Sequence, residues 1–287
     1  MGESTRNTQA ARPHTREAWE RLLRDRGIRP SRSMGQNFLV SPEIVSEIVA
    51  VSGVKPGDRV VEIGPGMGIL TGELLDSGAR VTGVELDDQL AALLRSTWKD
   101  HPAFTLVERD ARYVEIDAIT GGEPYLVVAN LPYSVATVVI RHFVEASNPP
   151  TSLTVMVQRE VAERMTAGPG DMSLLGLATQ FYTESEIVLT VPPDVFLPPP
   201  KVDSAVVSMR PREMVPLETD AREPMFALAT MAFQRKRKTL ANGLAQGLGR
   251  PRAEVDAEIA ALGIDPGLRP QALTVEDWVL LAGGLSS

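Results

Sequence analysis

The chain has 287 residues, about two ordinary domains by length, and 43% hydrophobic against 23% charged residues supply a substantial core and exclude global disorder. With no cysteine and three scattered histidines, a disulfide scaffold, a thiol nucleophile and a cysteine-ligated zinc are excluded; a histidine site is disfavoured and no metal is expected. The formal charge of −8 argues against a surface wholly devoted to a polyanion, yet residues 1–32 carry +4, residues 224–253 carry +6 without an acid, and residues 33–223 carry −13. That segregation keeps a nucleic-acid partner open, provided the basic segments share a face. No apolar run approaches the roughly 18 residues a membrane span requires. The Arg-rich opening is superficially like an organelle transit peptide, but Glu17, Glu20 and Asp25 argue against it. The reading is a cytoplasmic protein with a basic N-terminal extension over residues 1–32, whose sequence has no signal core.

From Ser41 the chain alternates short apolar runs with helical segments, the pattern of a parallel sheet covered by helices. Ser41-Pro42-Glu43 opens a helix, with Ser as N-cap and Pro at the first position. Ile44, Val45, Ile48 and Val49 then recur at helical spacing. Strands are expected at Arg59–Ile63, Arg80–Glu85, Phe104–Arg109, Tyr125–Ala129 and Leu153–Val157, with helices near 69–77, 88–97 and 135–146 between them. Two later runs, Glu186–Val191 and Ser204–Met209, flank a proline-rich loop and suit an antiparallel edge pair. Beyond Pro211 the texture becomes helical, at 225–247, 252–262 and 275–283, and Thr274-Val-Glu-Asp277 has capping-box form. The expected organisation is the basic extension 1–32, an α/β domain 33–211 and a small all-helical domain 212–287.

The first strand runs through Glu62-Ile-Gly64-Pro-Gly66-Met-Gly68 into a helix. Glycines there permit a sharp turn and a close ligand approach, although a plain tight turn reads equally well. The spacing is G-x-G-x-G; the third glycine of a dinucleotide fingerprint would fall on Ile69, which disfavours a pyrophosphate cradle. Glu85 ends the second strand, where an acid can accept from both ribose hydroxyls, and Asp110 follows the third, where one can accept from an adenine amine. Taken singly, each carboxylate reads as well as a solvated loop residue. Together at one sheet edge they suit a cationic adenosine without phosphates, which describes S-adenosylmethionine.

The fourth strand ends in Asn130-Leu131-Pro132-Tyr133. Pro132 keeps Leu131 extended, so the Leu131 carbonyl and the Asn130 side-chain oxygen form a pair of acceptors for an exocyclic amine. Held that way, the amine's lone pair is freed for attack on a sulfonium methyl. Tyr133 offers a face for the base, and Phe196, in a stiff proline loop, suits a second exposed ring; the plainer readings are a strand-end turn and a core phenylalanine. Reaching such a site requires an extruded or single-stranded nucleotide.

MGQNFL at 34–39, GPGMG, VELD at 84–87, NLPY, MVQREVAERM at 156–165, FLPPPKVDSAVV at 196–207 and AFQRKRKTLANGL at 232–244 together closely resemble the KsgA family of small-subunit ribosomal RNA adenine dimethyltransferases. The resemblance covers roughly residues 33–284. It implies a seven-stranded, Rossmann-like class I methyltransferase domain followed by a helical domain. It also implies transfer of two methyl groups to N6 of each of two adjacent adenosines near the 3′ end of 16S rRNA, with a role in ribosome biogenesis. Gln36, Asn37, Leu39, Gly64, Gly66, Glu85, Leu86, Asp110, Ala111 and Asn130 would then line the S-adenosylmethionine site, and Asn130, Leu131, Tyr133 and Phe196 would hold the target base.

Two departures from the family pattern stand out: Ser134-Val135-Ala136-Thr137 follows NLPY in place of Asn-Ile-Ser-Thr, and the connection at Gly168-Pro-Gly-Asp171 is short. Arg235, Lys236, Arg237 and Lys238 read as RNA phosphate contacts within an acid-free stretch, against a solvated face. The implied partner is 16S rRNA in the small subunit or its precursor, met by a monomer with no membrane and no metal. The rival readings are a 23S rRNA adenine methyltransferase of the macrolide-resistance type and a non-catalytic assembly or transcription factor.

Overall fold

The computed structural model describes residues 13, 15–31, 35–131 and 136–285. In chain order they form α1 (Arg16–Asp25), β1 (Phe38–Leu39), α2 (Pro42–Ser52), β2 (Arg59–Ile63), α3 (Ile69–Asp76), β3 (Arg80–Glu85), α4 (Asp88–Trp98), β4 (Phe104–Glu108), α5 (Ile116–Thr120), β5 (Leu126–Asn130) and α6 (Ala136–Val144). There follow β6 (Ser152–Gln158), α7 (Arg159–Thr166), α8 (Leu174–Tyr182), β7 (Thr183–Val191), β8 (Phe196–Leu197) and β9 (Ser204–Pro211). The last helices are α9 (Thr219–Phe233), α10 (Leu240–Leu248), α11 (Arg252–Ala261) and α12 (Val275–Gly284). Among the described residues no helix is long and apolar enough to cross a membrane.

Seven strands form one sheet in the order β4-β3-β2-β5-β6-β9-β7. The pairs β3–β4, β2–β3, β2–β5 and β5–β6 are parallel, and β7 and β9 are neighbours at one edge, as expected. β2 reads Val-Val-Glu-Ile after its first residue and is buried on both faces, as a central parallel strand must be. Val60 and Val81 of the sheet pack with Val45, Ile48 and Val49 of α2 and with Leu70 and Leu74 of α3. Ser41 caps α2 by accepting from the Ile44 amide, and Gly53, at φ +70°, ends it. Strand order reverses between β3 and β5 around β2, so a crevice opens at their carboxyl ends.

The chain divides into two compact units, one of residues 1–159 with 188–208 and the other of 160–187 with 209–287. A boundary at 211/212 is therefore corrected: α7 and α8 lie between β6 and β7 in sequence but group with the C-terminal helices. There the Phe181 and Phe226 rings meet edge to face at 5.4 Å, joining α8 to α9 by apolar contact. The described part of residues 1–32 is likewise no appendage, because α1 packs into the first unit.

The single helix expected over 225–247 is two helices, α9 and α10, with a turn at 234–239. The Leu240 and Ala241 amides donate to the carbonyls of Leu268 and Pro266, so α10 starts anew instead of continuing the α9 ladder. Gly247 lets the two helices approach closely, since a Cβ there would stand 2.9 Å from Met231 Cβ. The capping box forms as expected: Thr274 accepts from the Asp277 amide and Asp277 from the Thr274 amide.

Candidate active site

The carboxyl ends of β2, β3 and β5 and the loop after β4 enclose a cavity of about 320 Å³, within the range of small-ligand sites. Gln36, Asn37, Leu39, Gly64, Gly66, Glu85, Leu86, Asp110, Ala111, Asn130 and Leu131 all line it, so residues spread over nearly a hundred positions converge on one crevice.

Gly64 has φ +67°, and a Cβ there would meet nothing nearer than the Asn130 carbonyl at 3.9 Å; it would project into space a ligand can use. Gly66, at φ +59°, is constrained further, since its Cβ would stand 3.3 Å from the Phe38 ring. Two carboxyl groups lie beneath this loop. Glu85 is buried and accepts from the amides of Gly66, Leu86 and Asp87 at 2.9–3.0 Å. Three amides on a group with about four lone-pair sites leave room for one more donor, less than a full pair of ribose hydroxyls requires. Burial raises its pKa, while those amides pull the other way.

Glu62 is missed by the sequence reading. It is 1% exposed, accepts from the Thr71 hydroxyl at 2.6 Å and lines the cavity. Burial pushes its pKa up to about 8, with Glu85 adding repulsion. Its signal was present: an acid inside the apolar strand Arg-Val-Val-Glu-Ile. Two buried acids share this wall, and a cationic ligand would favour the ionised form of each.

Asp110 reaches the cavity already paired. Arg112, also missed, donates to it from Nε at 3.0 Å, from Nη2 at 2.5 Å and from its own amide, and holds the carboxyl below its usual range. An adenine amine would have to share that carboxylate with the guanidinium. The Asp-Ala-Arg spacing, placing a cation two residues after the acid in a loop, was the available sign.

Asn130 closes β5 and lines the cavity; its Nδ2 donates to the Asn37 carbonyl at 3.4 Å, a bond that does not engage Oδ1. Leu131 is buried and its amide donates to the Met156 carbonyl, fixing the strand end against β6. Gln36 ties its segment down twice, accepting from the Ser31 amide at 2.8 Å and donating to Asp87 at 3.2 Å. Tyr133, together with Pro132, Ser134 and Val135, lies outside the described residues.

Phe196 corrects the expectation of an exposed ring. It is 1% exposed and packs in the core with Leu39, Val191 and Val206, because β8 pairs with β1 and draws the proline loop inward. It does not line the cavity. Of the basic run, Lys236, Arg237 and Lys238 are exposed in the turn, while Arg235 is half-buried and donates to Gln246 at 2.9 Å. The run therefore projects from a turn instead of fanning around a helix.

A Dehalococcoides mccartyi protein named ribosomal RNA small subunit methyltransferase A is 38% identical over 279 residues, covering 97% of this chain and 96% of its own. Among solved structures, the 23S rRNA methyltransferase ErmE is 31% identical with a TM-score of 0.67, over 87% of this chain and 99% of its own. A dimethyladenosine transferase from Plasmodium falciparum has a TM-score of 0.71 at 24% identity, over 85% of this chain and 95% of its own, and bears on the fold alone. The ribosomal RNA adenine dimethylase family matches residues 29–284, both units included, and with the cavity at the strand ends this identifies the chain as a member of that family.

Proposed function

We propose that the chain transfers methyl groups from S-adenosylmethionine to N6 of two adjacent adenosines near the 3′ end of 16S rRNA, dimethylating each. The observation that carries the reading is the convergence of Gly64, Glu62, Glu85 and Asn130 on one cavity in a chain of this family. Its lining fits the cofactor: glycine leaves backbone accessible, and the buried acids Glu62 and Glu85 are a pair that a cation would help to ionise. S-adenosylmethionine supplies an electrophilic methyl group on a sulfonium. Glu85 accepts a ribose hydroxyl through its remaining lone pair, and Asp110, held by Arg112, faces the adenine. Asn130 Oδ1 and the Leu131 carbonyl accept the two hydrogens of the target amine and orient its lone pair. Tyr133 supplies a stacking face by resemblance to the family. Lys236, Arg237 and Lys238 contact phosphates, with Arg235 acting chiefly within the turn.

The protein acts as a monomer in the cytoplasm on the small subunit or its precursor, in ribosome biogenesis. The Dehalococcoides mccartyi relative named for the small subunit supports that substrate at 38% identity, against 31% for the 23S enzyme. Against a non-catalytic role stands the placing of Asn130 and Leu131 together in the cavity lining, where their oxygens can serve one amine. The test is transfer of radiolabelled methyl groups to purified ribosomal subunits. Label in undermethylated small subunits is expected; label in large-subunit RNA alone would select the 23S reading.

A further inference from the structure

The helix α1 belongs to a segment whose sequence suggested a basic arm. Thr15 caps it by accepting from the Ala18 amide at 3.3 Å. Trp19 and Leu23 lie four residues apart on one face, and with Ile28 they bury themselves against Phe38, Val40, Met67, Leu90 and Leu93. Phe38, Met67 and Leu90 also line the cavity, so a single layer of side chains separates α1 from it.

Arg16, one turn before Trp19 and Glu20, reaches across the chain. Its Nη2 donates to the Asp194 carbonyl and, at 2.9 Å, to the Phe196 carbonyl. Phe196 and Leu197 form β8, which pairs with Leu39 and Phe38 of β1, and the Val40 amide donates to the Val195 carbonyl at 2.9 Å. Immediately before β1 stands Asn37, whose carbonyl receives Asn130 Nδ2.

We propose that Arg16 is a positioning residue for methyl transfer: by clamping the carbonyls of Asp194 and Phe196 it holds β8 against β1, which fixes the Asn37 carbonyl and through it the side-chain amide of Asn130. The inference rests on the methyltransferase reading above. Both bonds leave Nη2, whose two hydrogens lie in the rigid guanidinium plane and so point in fixed directions, whereas an ammonium is a freely rotating point charge on a flexible stem. Losing the clamp lets the β1–β8 strap relax, and a misplacement of about 1 Å at a reacting group can cost about a hundredfold in rate.

The experiment compares Arg16→Ala, Arg16→Lys and the charge-matched control Arg21→Ala, exposed on the same helix, with the wild-type chain. It measures kcat and KM on undermethylated small subunits, S-adenosylmethionine affinity, and hydrogen exchange at the Val40 amide. Arg16→Ala is expected to lower kcat by about ten- to a hundredfold. It should leave KM for subunits within about twofold and accelerate Val40 exchange. Arg16→Lys should recover part of both losses, and Arg21→Ala should match wild type. A raised KM with a reduced salt slope and unchanged kcat would overturn the proposal in favour of a phosphate contact, as would unchanged Val40 exchange. If the wild-type chain methylates neither subunit, the functional reading fails on its own control, and the exchange result still decides the clamp.

Discussion

Glu62→Gln removes a carboxyl group that is 1% exposed, hydrogen-bonded to Thr71 and raised to a pKa of about 8 chiefly by burial. The folded chain binds this proton more tightly than the unfolded chain, whose value is 4.5. Below that value the group costs no stability; as pH climbs toward about 8 the unfolded state gains by ionising and the folded state does not. At 1.36 kcal/mol per unit, the interval from 4.5 to about 8 corresponds to on the order of 5 kcal/mol lost between about pH 4.5 and about pH 8. Glutamine keeps the shape and the acceptor for Thr71 without ionising. Urea denaturation across this range should show the wild-type chain losing stability relative to the variant with the sign just given. A cation in the cavity favours ionised Glu62, so wild-type S-adenosylmethionine affinity should rise over the same range and the variant's should stay flatter. Parallel stability curves for the two proteins would refute the buried, protonated Glu62, and parallel affinity curves would separate it from the ligand.

Asn130→Ala should abolish transfer while leaving cofactor affinity within about tenfold, or roughly 1.4 kcal/mol by calorimetry; near-normal turnover would remove the amine-orienting role. Trp19→Ala should destabilise the fold by about 3–5 kcal/mol in denaturant melts, because the ring is buried against the cavity wall. Deleting residues 1–32 should consequently weaken cofactor binding; unchanged cofactor affinity would show that the packing of α1 does not support the cavity wall. Replacing Arg235 to Lys238 by Ala should weaken subunit binding and flatten its salt dependence by about one log–log unit for each phosphate the run neutralises, and an unaltered slope would leave the turn a solvated surface.

Local pattern carried much of the architecture. The five parallel strands appear within a residue or two of where apolar runs place them; for β2 this is because a strand buried on both faces must be apolar nearly throughout, and Gly64, Gly66 and Gly68 mark the turn that ends it. The capping box at Thr274 and the N-cap at Ser41 form as their sequences indicate, since capping involves residues three apart. Gln36, Asn37, Gly64, Glu85, Asp110 and Asn130, which line the cavity, stand at strand ends or in motifs visible in the sequence, whereas Glu62 and Arg112, which line it too, were not picked out.

What needed tertiary structure was every property set by residues distant in sequence. Phe196 becomes a core residue through pairing with β1, some 160 residues earlier. The break between α9 and α10 depends on carbonyls from Pro266 and Leu268, which no helical periodicity in 225–247 can announce. Glu62 acquires its raised pKa from a depth of burial that one acid in an apolar strand only hints at. The charge count read residues 1–32 only as a basic extension, since charge alone carries no geometry; Trp19 and Leu23 pack behind the cavity wall and Arg16 bonds to the β8 backbone through interactions that exist only once the chain has closed on itself.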